Sequence, residues 1–555
     1  MRTFGFSRQN AAAVCVLGLG LIGQTGREHP QAASVIVEGI NVESAARAVR
    51  SVGGAITHEL EVIGAVAARL TPGQVESLRA HEPRLVFHED RQVAVAGDPY
   101  GDLLDKLTHD SIAVSAERVH RLGITGHQVT VAFVDSGYLP YEELNRNDRA
   151  QYRILANYNA LTGMLYQWAN NDESGHGAHV MSLAASSYAT TSAHWLAPAG
   201  STENDLTYHG IAPGVDLVSV KSFDANGQGS YADVIRGIDW VVKNRSTYSV
   251  RVLNLSFSAP PRSHYWEDPL NRAVMAAWKA GIVVVASAGN TGPKPMTIGV
   301  PGNLPYVITV GAMSDNYTPA VFGDDVLASF SSTGPTHEGF VKPEVVAPGG
   351  HIMATMQNGA RLALEHPSFF NGLMGSYFTM SGTSQATAVV SGVVALMLDA
   401  DPTLTPDQVK YRLMVTARPA VNKSGKLAYS VFQQGAGVVN AYEAVYSDST
   451  QKANKGLNVA DDLANKKHYR GKAAKNAKGE FYIEGLSGYT WTGGFLWSDG
   501  FLWSDGFLWS DGFLWSDGFL WSDGFLWSDG WTKTNVFSNS GSATTAGINV
   551  WVPQE

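Results

Sequence analysis

One serine in this 555-residue sequence has the type and the neighbours that nucleophilic catalysis needs. Ser384 follows Gly382-Thr383 and precedes a long run of small and apolar residues, so it lies at the N-terminus of a predicted buried helix. A nucleophile gains there, because the helix dipole and the first backbone N–H groups favour negative charge on a substrate oxygen. Gly-Thr-Ser also opens many helices as an ordinary cap, so Ser384 alone does not decide between the two roles.

Three more side chains with suitable chemistry lie in glycine-bearing turns, in the chain order Asp135, His176 and Asn290. Asp135 ends an apolar strand, and catalytic groups collect at the carboxyl ends of strands in open α/β sheets. His176 stands between two glycines, which let another backbone or a substrate approach its imidazole closely. Asn290 ends another strand, where its amide is able to donate a hydrogen bond to a developing oxyanion.

Each of these residues also has a simpler interpretation. A strand-end aspartate is often a turn cap or a metal ligand, and Asn290 alone would be an Asx-turn residue. His176 and the nearby His179 keep a zinc site open, although no third His, Cys or carboxylate follows at metal-site spacing. The joint occurrence of Asp135, His176, Asn290 and Ser384, each in such a turn, favours a shared catalytic site.

The segments that must position these turns alternate buried strand patterns with helical patterns from Gly126 onward. That alternation predicts a parallel sheet covered by helices on both faces. The predicted strands are Val129–Val134, Asp216–Lys221, Val252–Ser256, Ile282–Ser287 and Val307–Val310. The predicted helices are Gly177–Ala185, Tyr231–Lys243, Pro269–Ala280, Gln385–Leu398 and Thr405–Leu413. The predicted fold class is therefore α/β, with a mostly parallel central sheet.

These motifs resemble the subtilase family of subtilisin-like serine peptidases, in which the order Asp, His, Ser is already known from subtilisin. The matching stretches are Val134–Gly137, Gly175–Val180 and Gly382–Ala386, supported by Gly210–Pro213, Leu253–Phe257, Ser287–Asn290, Phe330–Gly334 and Lys342–Gly349. They cover about Gly126 to Tyr446, and the resemblance implies a three-layer subtilisin-like fold. Two positions depart from the usual family pattern, Ala178 in place of Thr and Gln385 in place of Met.

The resemblance implies a role for each candidate. Ser384 would attack the peptide carbonyl, His176 would take and return the proton, and Asp135 would orient the imidazole. Asn290 and the Ser384 N–H would form the oxyanion hole. The implied substrate-binding residues are an edge strand at Leu255, Ser256 and Phe257 and the wall of the primary specificity pocket at Ala288 and Gly289. The chemistry requires no cofactor. Structural calcium is common in the family, but no EF-hand pattern locates a site, so the metal site is unknown.

The first residues of the chain predict an exported protein. Residues 1–33 combine Arg2 and Arg8 with a short apolar run and are predicted to be a signal peptide and spacer. The only cysteine, Cys15, lies within that run, so no intramolecular disulfide is expected. A buried N-terminal strand or helix is the alternative.

The next segment has the pattern of a small α+β unit. Residues 34–97 read as β-α-β-β-α-β, and their order and position resemble the inhibitor-type propeptide of secreted subtilases. Residues 98–125 then form a processing and connecting segment, and self-cleavage is expected between Arg91 and Ser111. An unrelated small α/β domain is the alternative interpretation.

The composition changes after the catalytic region 126–446. Residues 447–490 are rich in Lys, Asn, Asp and Ala and predict an exposed polar linker. Residues 491–555 are a Trp-rich tail in which Phe-Leu-Trp-Ser-Asp-Gly recurs unchanged from Phe495 to Gly530. Because the repeat length is even, an extended chain would hold every Trp on one face. Two interpretations stay open, a cell-surface or polysaccharide anchor and a tandem expansion that serves as a spacer.

Charge narrows the class of partner. A formal net charge of −10 argues against nucleic acid and anionic membranes, because both need a basic surface. The leading prediction is a secreted serine endopeptidase that acts on polypeptide substrates and is made as an autoprocessed zymogen, with its own propeptide as an intramolecular inhibitor. The alternative is a catalytically silent scaffold of the same fold that acts as a surface or glycan-binding protein through its repeat tail.

Overall fold

Eight stretches of the chain are described by the structure, a computed structural model: 32–90, 92–95, 110–166, 170–190, 207–371, 376–422, 427–477 and 479–484. The predicted signal peptide with Cys15, residues 98–109 of the predicted processing segment and the hexapeptide repeats lie outside these residues.

Strands and helices alternate through most of the described chain. The strands are β1 Ala33–Glu38, β2 Ala55–Leu60, β3 Ala65–Leu70, β4 Val86–Glu89, β5 Gln92–Val95, β6 Thr130–Asp135, β7 Ile154–Asn159, β8 Met164–Leu165, β9 Ala189–Thr190, β10 Thr207–Tyr208, β11 Asp216–Lys221, β12 Gln228–Ser230, β13 Val250–Leu255, β14 Phe257–Ser258, β15 Val283–Ser287, β16 Ile308–Ser314, β17 Val326–Leu327, β18 Val345–Pro348, β19 Ile352–Thr355, β20 Phe370–Asn371, β21 Tyr377–Met380, β22 Ala473–Lys475 and β23 Phe481–Ile483. The helices are α1 Val42–Ser51, α2 Pro72–His81, α3 Asp110–Ala113, α4 Ala116–His120, α5 Glu142–Asn145, α6 His176–Ala185, α7 Tyr231–Asn244, α8 Pro269–Lys279, α9 Arg361–Glu365, α10 Thr383–Ala400, α11 Pro406–Val415, α12 Val431–Gln434, α13 Ala441–Tyr446 and α14 Val459–Leu463, with short 3-10 turns at Glu61–Ile63 and Pro367–Phe369.

The central sheet has nine strands in the order β17-β16-β15-β13-β6-β11-β7-β8, with β18 paired to β16. Its pairings are parallel except β16 with β17 and β7 with β8 at the two ends. Its inner strands β6 and β15 are buried at every position, which explains their continuous apolar sequence. The predicted α/β class is confirmed, and so are the five predicted strands and five predicted helices, within a few residues. The other four strands of this sheet, β7, β8, β17 and β18, were not predicted.

Helices cover this sheet in two pairs. Helices α6 and α10 pack against each other and against the sheet, and α7 and α8 do the same. One helix in the described stretches, α10, is long and apolar enough to cross a membrane, but 89% of it is buried inside the protein. It therefore acts as the central core helix, and the nucleophile candidate lies at its first turn.

The N-terminal unit, residues 33–89, is a separate small sheet with two helices. Its strands pair antiparallel in the order β2-β3-β1-β4, and α1 and α2 cover one face around Val35, Val37 and Val66. The other face, with Ile36 and Ala67, joins the main core. Strand β2 contacts α7, and the 3-10 turn after β2 contacts α8. The predicted element order is present, although the inhibitor role stays a prediction.

Strand β5 corrects one expectation. The predicted unit 34–97 includes β5, but β5 pairs with β12 and β14 of the catalytic region and not with the sheet of that unit. The physical reason is that β12 and β14 leave a gap between two strand edges. A backbone inserted there satisfies its N–H and C=O groups on both sides.

Residues 447–484, called the C-terminal segment below, correct a second expectation. This stretch was predicted to be an exposed linker, yet it packs on the catalytic region with α14 and the hairpin β22–β23. Asp462 within it is fully buried and accepts hydrogen bonds from the hydroxyl groups of Tyr265 and Tyr306, at 2.7 and 2.8 Å. The prediction was wrong because a high content of lysine and asparagine is typical of exposed segments. Composition does not show that a single polar residue, here Asp462, has buried hydrogen-bond partners.

Candidate active site

Asp135 and His176 meet in the core, although 40 residues separate them in sequence. Asp135 ends β6 and His176 begins α6, and both side chains are buried. His176 Nδ1 lies 2.7 Å from Asp135 Oδ1, and Ser136 N–H donates to the same oxygen at 2.7 Å. Because a carboxylate only accepts, Nδ1 of the neutral imidazole carries the proton and donates it. Nε2 is then the basic nitrogen of the ring.

Glycines allow the two turns to come this close. A Cβ at Gly177 would lie 2.5 Å from the carbonyl oxygen of Gly137, so the start of α6 rests directly on the turn after β6. Gly137 has φ of +139° and its own Cβ would lie 2.4 Å from the carbonyl oxygen of Asn171. Gly137 and Gly177 therefore allow two backbone segments to approach each other closely. The sequence predicted this role for Gly177.

Asp172 is a supporting residue that sequence reasoning missed. Its carboxylate accepts hydrogen bonds from Gly175 N–H at 2.8 Å, from Ala178 N–H at 2.7 Å and from the hydroxyl of Ser136 at 2.8 Å. Burial raises its pKa, and the hydrogen bond from Ala178 opposes that shift most. Asp172 thus holds the start of α6 against the turn after β6. An acidic residue four positions before His176 was the available signal.

Ser384 lies in the first turn of α10 and is fully buried. Its hydroxyl donates to the carbonyl oxygen of Ser256 at 2.9 Å, and the hydroxyl of Ser256 donates to the carbonyl oxygen of Ser384 at 3.0 Å. The N–H groups of a first helical turn have no partner earlier in the helix. The position therefore combines a hydroxyl with donors for an anion, as the sequence predicted.

A side-chain pair links the helix of the histidine to the helix of the serine. Gln385 Nε2 lies 3.4 Å from His179 Nδ1, and His179 Nε2 lies 3.0 Å from the carbonyl oxygen of Phe378. Burial lowers the pKa of His179 to about 3, so its ring is neutral, donating from Nε2 and accepting at Nδ1. Both His179 and Gln385 were singled out in the sequence, but no contact between them was predicted.

The contacts of His179 bear on the zinc site that the sequence left open at His176 and His179. Both ring nitrogens of His179 have protein partners. In the part of the chain that the structure describes, no three His, Cys, Asp or Glu side chains are grouped to hold a metal ion. The His176–His179 region is thus organised by hydrogen bonds within the protein.

Asn290 is oriented by the residue before the nucleophile. Its Oδ1 accepts the N–H of Thr383 at 3.0 Å and the Thr383 hydroxyl at 2.8 Å. These two donors fix which side of the amide carries the oxygen, and Nδ2 is left to donate elsewhere. The arrangement suits a donor to an oxyanion formed at Ser384.

The predicted substrate-binding residues lie in three different parts of the fold. Ser256 contacts Ser384, and Phe257 pairs with β5 as an edge strand. Leu255 belongs instead to the central strand β13, where it is buried opposite Ala286. Ala288 and Gly289 lie at the end of β15, and Gly289 N–H donates to the Thr383 hydroxyl at 3.2 Å.

The strand on the other side of β5 was not predicted from the sequence. Strand β12, Gln228–Ser230, pairs with the opposite side of β5. Its three polar and small residues have no apolar alternation, so no strand pattern was visible in the sequence.

Comparison with known proteins identifies the family. The sequence profile of the subtilase family matches residues 126–438. Serine protease AprX of Bacillus subtilis is 36% identical over 392 residues, which cover 69% of this chain and 79% of that protein. Subtilisin E of the same organism is 29% identical over 398 residues, covering 71% of this chain and 83% of that protein.

A solved structure supports the fold alone. Fervidolysin from Fervidobacterium pennivorans, described as a keratinolytic enzyme related to subtilisin, aligns with a TM-score of 0.59 at 20% identity. The match covers 78% of this chain and 64% of fervidolysin, which is just under two thirds of its length.

The fold and the family profile define the class, a serine protease of the subtilisin type. This chain belongs to the subtilase family and is a serine endopeptidase.

Proposed function

We propose that this chain is a secreted serine endopeptidase, synthesised as a zymogen, in which Asp135, His176 and Ser384 form the catalytic triad. The observation that carries the proposal is the buried 2.7 Å hydrogen bond between His176 Nδ1 and Asp135 Oδ1. It leaves Nε2 as the base. Helices α6 and α10, which begin at His176 and Thr383, pack together, and this supports the assignment of Ser384 as the partner of that base.

Hydrolysis then proceeds in two steps. Ser384 Oγ attacks the peptide carbonyl while His176 Nε2 takes its proton, and the imidazolium protonates the leaving amine as the C–N bond breaks. Water attacks the acyl-enzyme with His176 again as the base, which releases the new carboxyl group and returns a proton to Ser384. The Asp135 carboxylate stabilises the imidazolium in both steps.

Asn290 Nδ2 and the Ser384 N–H donate to the oxyanion that forms in each step. Removal of one such donor raises the barrier by about 3 kcal/mol in subtilisin, a member of this same family. At rest the Ser384 hydroxyl donates to Ser256, so substrate binding redirects it to His176. Catalytic hydrogen bonds often tighten only in the complex with substrate.

Strand β5 supports the zymogen proposal. It is an extended backbone held on one side by β12 and on the other by β14, which is the way a peptide substrate adds a strand to a sheet edge. It continues directly from the N-terminal unit, which packs on α7 and α8. The unit therefore acts as an intramolecular inhibitor, with its end occupying the cleft until it is released.

Secretion and surface contact are supported by sequence alone. The predicted signal peptide supports export, and the Trp-rich repeats support contact with a cell surface or a polysaccharide. Structural calcium is compatible with the family. The silent-scaffold alternative is weakened because Asp135, His176, Asn290 and Ser384 are all present.

The test is the loss of peptidase activity in a processed variant. Ser384→Ala and, as a control, Ser391→Ala on the same helix are freed of the N-terminal unit with a trace of tagged wild-type enzyme, which is then removed. We expect Ser384→Ala to lower casein hydrolysis roughly 10⁶-fold. Ser391→Ala should stay within a few-fold of wild type. Equal activity of Ser384→Ala and wild type would refute the triad assignment.

A further inference from the structure

Gln385 follows the nucleophile directly and is one of the two positions at which this chain departs from the usual subtilase pattern. It lies in the first turn of α10 and is fully buried. Ser384 and His176, which must reach the substrate, are just as buried in this chain with its N-terminal unit. Burial therefore does not separate Gln385 from the reacting groups.

The hydrogen bonds of His179 determine which end of the Gln385 amide faces it. His179 Nε2 donates to the carbonyl oxygen of Phe378 at 3.0 Å, so the neutral ring presents an acceptor at Nδ1. Only the NH2 group of Gln385 can donate to that acceptor, and its Nε2 lies 3.4 Å away. The amide oxygen Oε1 is therefore the end that does not contact His179.

This oxygen is an unpaired acceptor. Gln385 Oε1 is buried, and no donor among the described residues forms a hydrogen bond with it. Buried polar atoms are nearly always hydrogen-bonded, because an unpaired one has lost its contact with water without a replacement. An unpaired acceptor next to the nucleophile indicates a donor that arrives with the substrate.

The Gln385 amide lies on the side of the site where the leaving nitrogen must be. His176 protonates that nitrogen, so the nitrogen lies within hydrogen-bond reach of His176 Nε2. His179 follows His176 by three residues on α6, which places both on one face of that helix. Gln385 reaches from the turn of Ser384 to this face, between the packed helices α6 and α10.

We propose that Gln385 Oε1 accepts a hydrogen bond from the N–H of the leaving nitrogen, and that Gln385 is thereby a catalytic residue that favours peptide bonds over esters. The inference rests on the proposed function and adds to it a contact with the leaving group. An ester has an oxygen where the peptide bond has its N–H, so it has no hydrogen to donate to Oε1.

The contact belongs to the step in which the peptide bond breaks. The electron pair of the C–N bond stays on the nitrogen, which keeps its own hydrogen and receives a second one from His176. The hydrogen bond to Oε1 strengthens as the nitrogen gains this proton, because a charged donor bonds more strongly than a neutral one. An interaction that strengthens in the transition state raises the rate and not only the binding of substrate.

The test compares two substrates that differ in one group. A peptide and its depsipeptide, in which an ester oxygen replaces the N–H of the cut bond, are given to mature wild type and Gln385→Met. Both substrates form the same acyl-enzyme. Methionine is similar in length, but its sulfur accepts hydrogen bonds only weakly. We expect Gln385→Met to lower kcat/KM for the peptide at least about 3-fold more than kcat/KM for the depsipeptide, the scale of one lost hydrogen bond.

Hydrolysis of the depsipeptide also shows that the variant is folded, since it needs the same nucleophile, base and oxyanion donors. Ser391→Ala, further along the same helix, should leave the ratio of the two rates unchanged. If Gln385→Met changes this ratio by less than about 3-fold, whether both rates fall or neither does, the role of Gln385 is overturned and the proposed function stands. Ser384→Ala is measured in parallel, and activity equal to wild type on both substrates would overturn the proposed function itself.

Discussion

The two regions that flank the catalytic core are attached to it in different ways. The N-terminal unit packs one apolar face, with Ile36 and Ala67, on the main core and adds ion pairs around it, from the mostly buried Glu38–Arg272 pair at 2.8 Å to the exposed Glu89–Arg262 pair at 3.2 Å. The C-terminal segment is held by Asp462, which is fully buried among hydroxyl donors. Exposed ion pairs contribute little, whereas a buried carboxylate with its donors is costly to disrupt.

This difference fits two different fates. The proposed propeptide must leave after cleavage, and its exposed ion pairs are contacts that water and salt can replace. The C-terminal segment instead has the buried Asp462 carboxylate at its centre. His468 Nδ1 adds a third donor to Asp462 at 2.7 Å, and Trp266 stacks on His468 with ring centroids 4.8 Å apart. We therefore expect the segment to remain with the mature enzyme.

The largest effect should come from the C-terminal segment. Asp462→Ala leaves the hydroxyl groups of Tyr265 and Tyr306 buried without their acceptor, so we expect a loss of about 3 kcal/mol in the free energy of unfolding. The measurement is the urea midpoint in the Ser384→Ala background, which avoids self-digestion. Asp461→Ala, on the same helix but partly exposed, should lose less than about 1 kcal/mol. Equal losses in the two variants would remove the contrast between the two regions.

A smaller effect is expected at the N-terminal unit. Two amides bridge it to α7, since Val62 N–H donates to Asp239 at 3.1 Å and Ala232 N–H donates to Asp90 at 2.7 Å. Their hydrogen exchange in the Ser384→Ala chain reports undocking. Glu38→Gln removes a mostly buried partner of Arg272, and we expect exchange at both amides to rise about 10-fold, which corresponds to about 1.4 kcal/mol.

The control for that variant is the exposed pair. Glu89 and Arg262 are 46% and 51% exposed, so Glu89→Gln should change exchange at these amides less than about 3-fold. A larger rise in Glu89→Gln than in Glu38→Gln would mean that burial of the ion pair does not govern docking.

The smallest effect concerns pH. The pKa of Glu38 is lowered from its usual 4.5: burial opposes this, but the hydrogen bond from His88 and the charge of Arg272 outweigh it. A depressed pKa gives stability that is complete above the usual value and is lost as pH falls through the lowered value. The difference in exchange between wild-type Glu38 and Glu38→Gln should therefore shrink below pH 4.5. A difference that stays constant down to pH 3 would contradict this assignment.

Much of the site could be predicted because its chemistry is local. Asp135, His176, Asn290 and Ser384 each lie in a turn whose glycines are visible in the sequence, and their common order carries the family resemblance. The central strands were predicted because strands buried on both faces are apolar throughout.

The rest depended on contacts between distant segments. Strand β12 exists as a strand only because β5 lies beside it, and β5 pairs away from its own unit. Asp172 acts through backbone N–H groups on both sides of His176. Asp462 looks like any other residue of a polar stretch until Tyr265 and Tyr306, far earlier in the chain, are placed against it. No local pattern records these partners.

The central claim is that His176, held by Asp135, activates Ser384 alone among the serines of this chain. The most direct measurement is covalent labelling of the mature enzyme with a fluorophosphonate, followed by peptide mass spectrometry. We predict one label per molecule, on Ser384, and loss of labelling in His176→Ala. A label on another serine, or equal labelling of wild type and His176→Ala, would contradict the account.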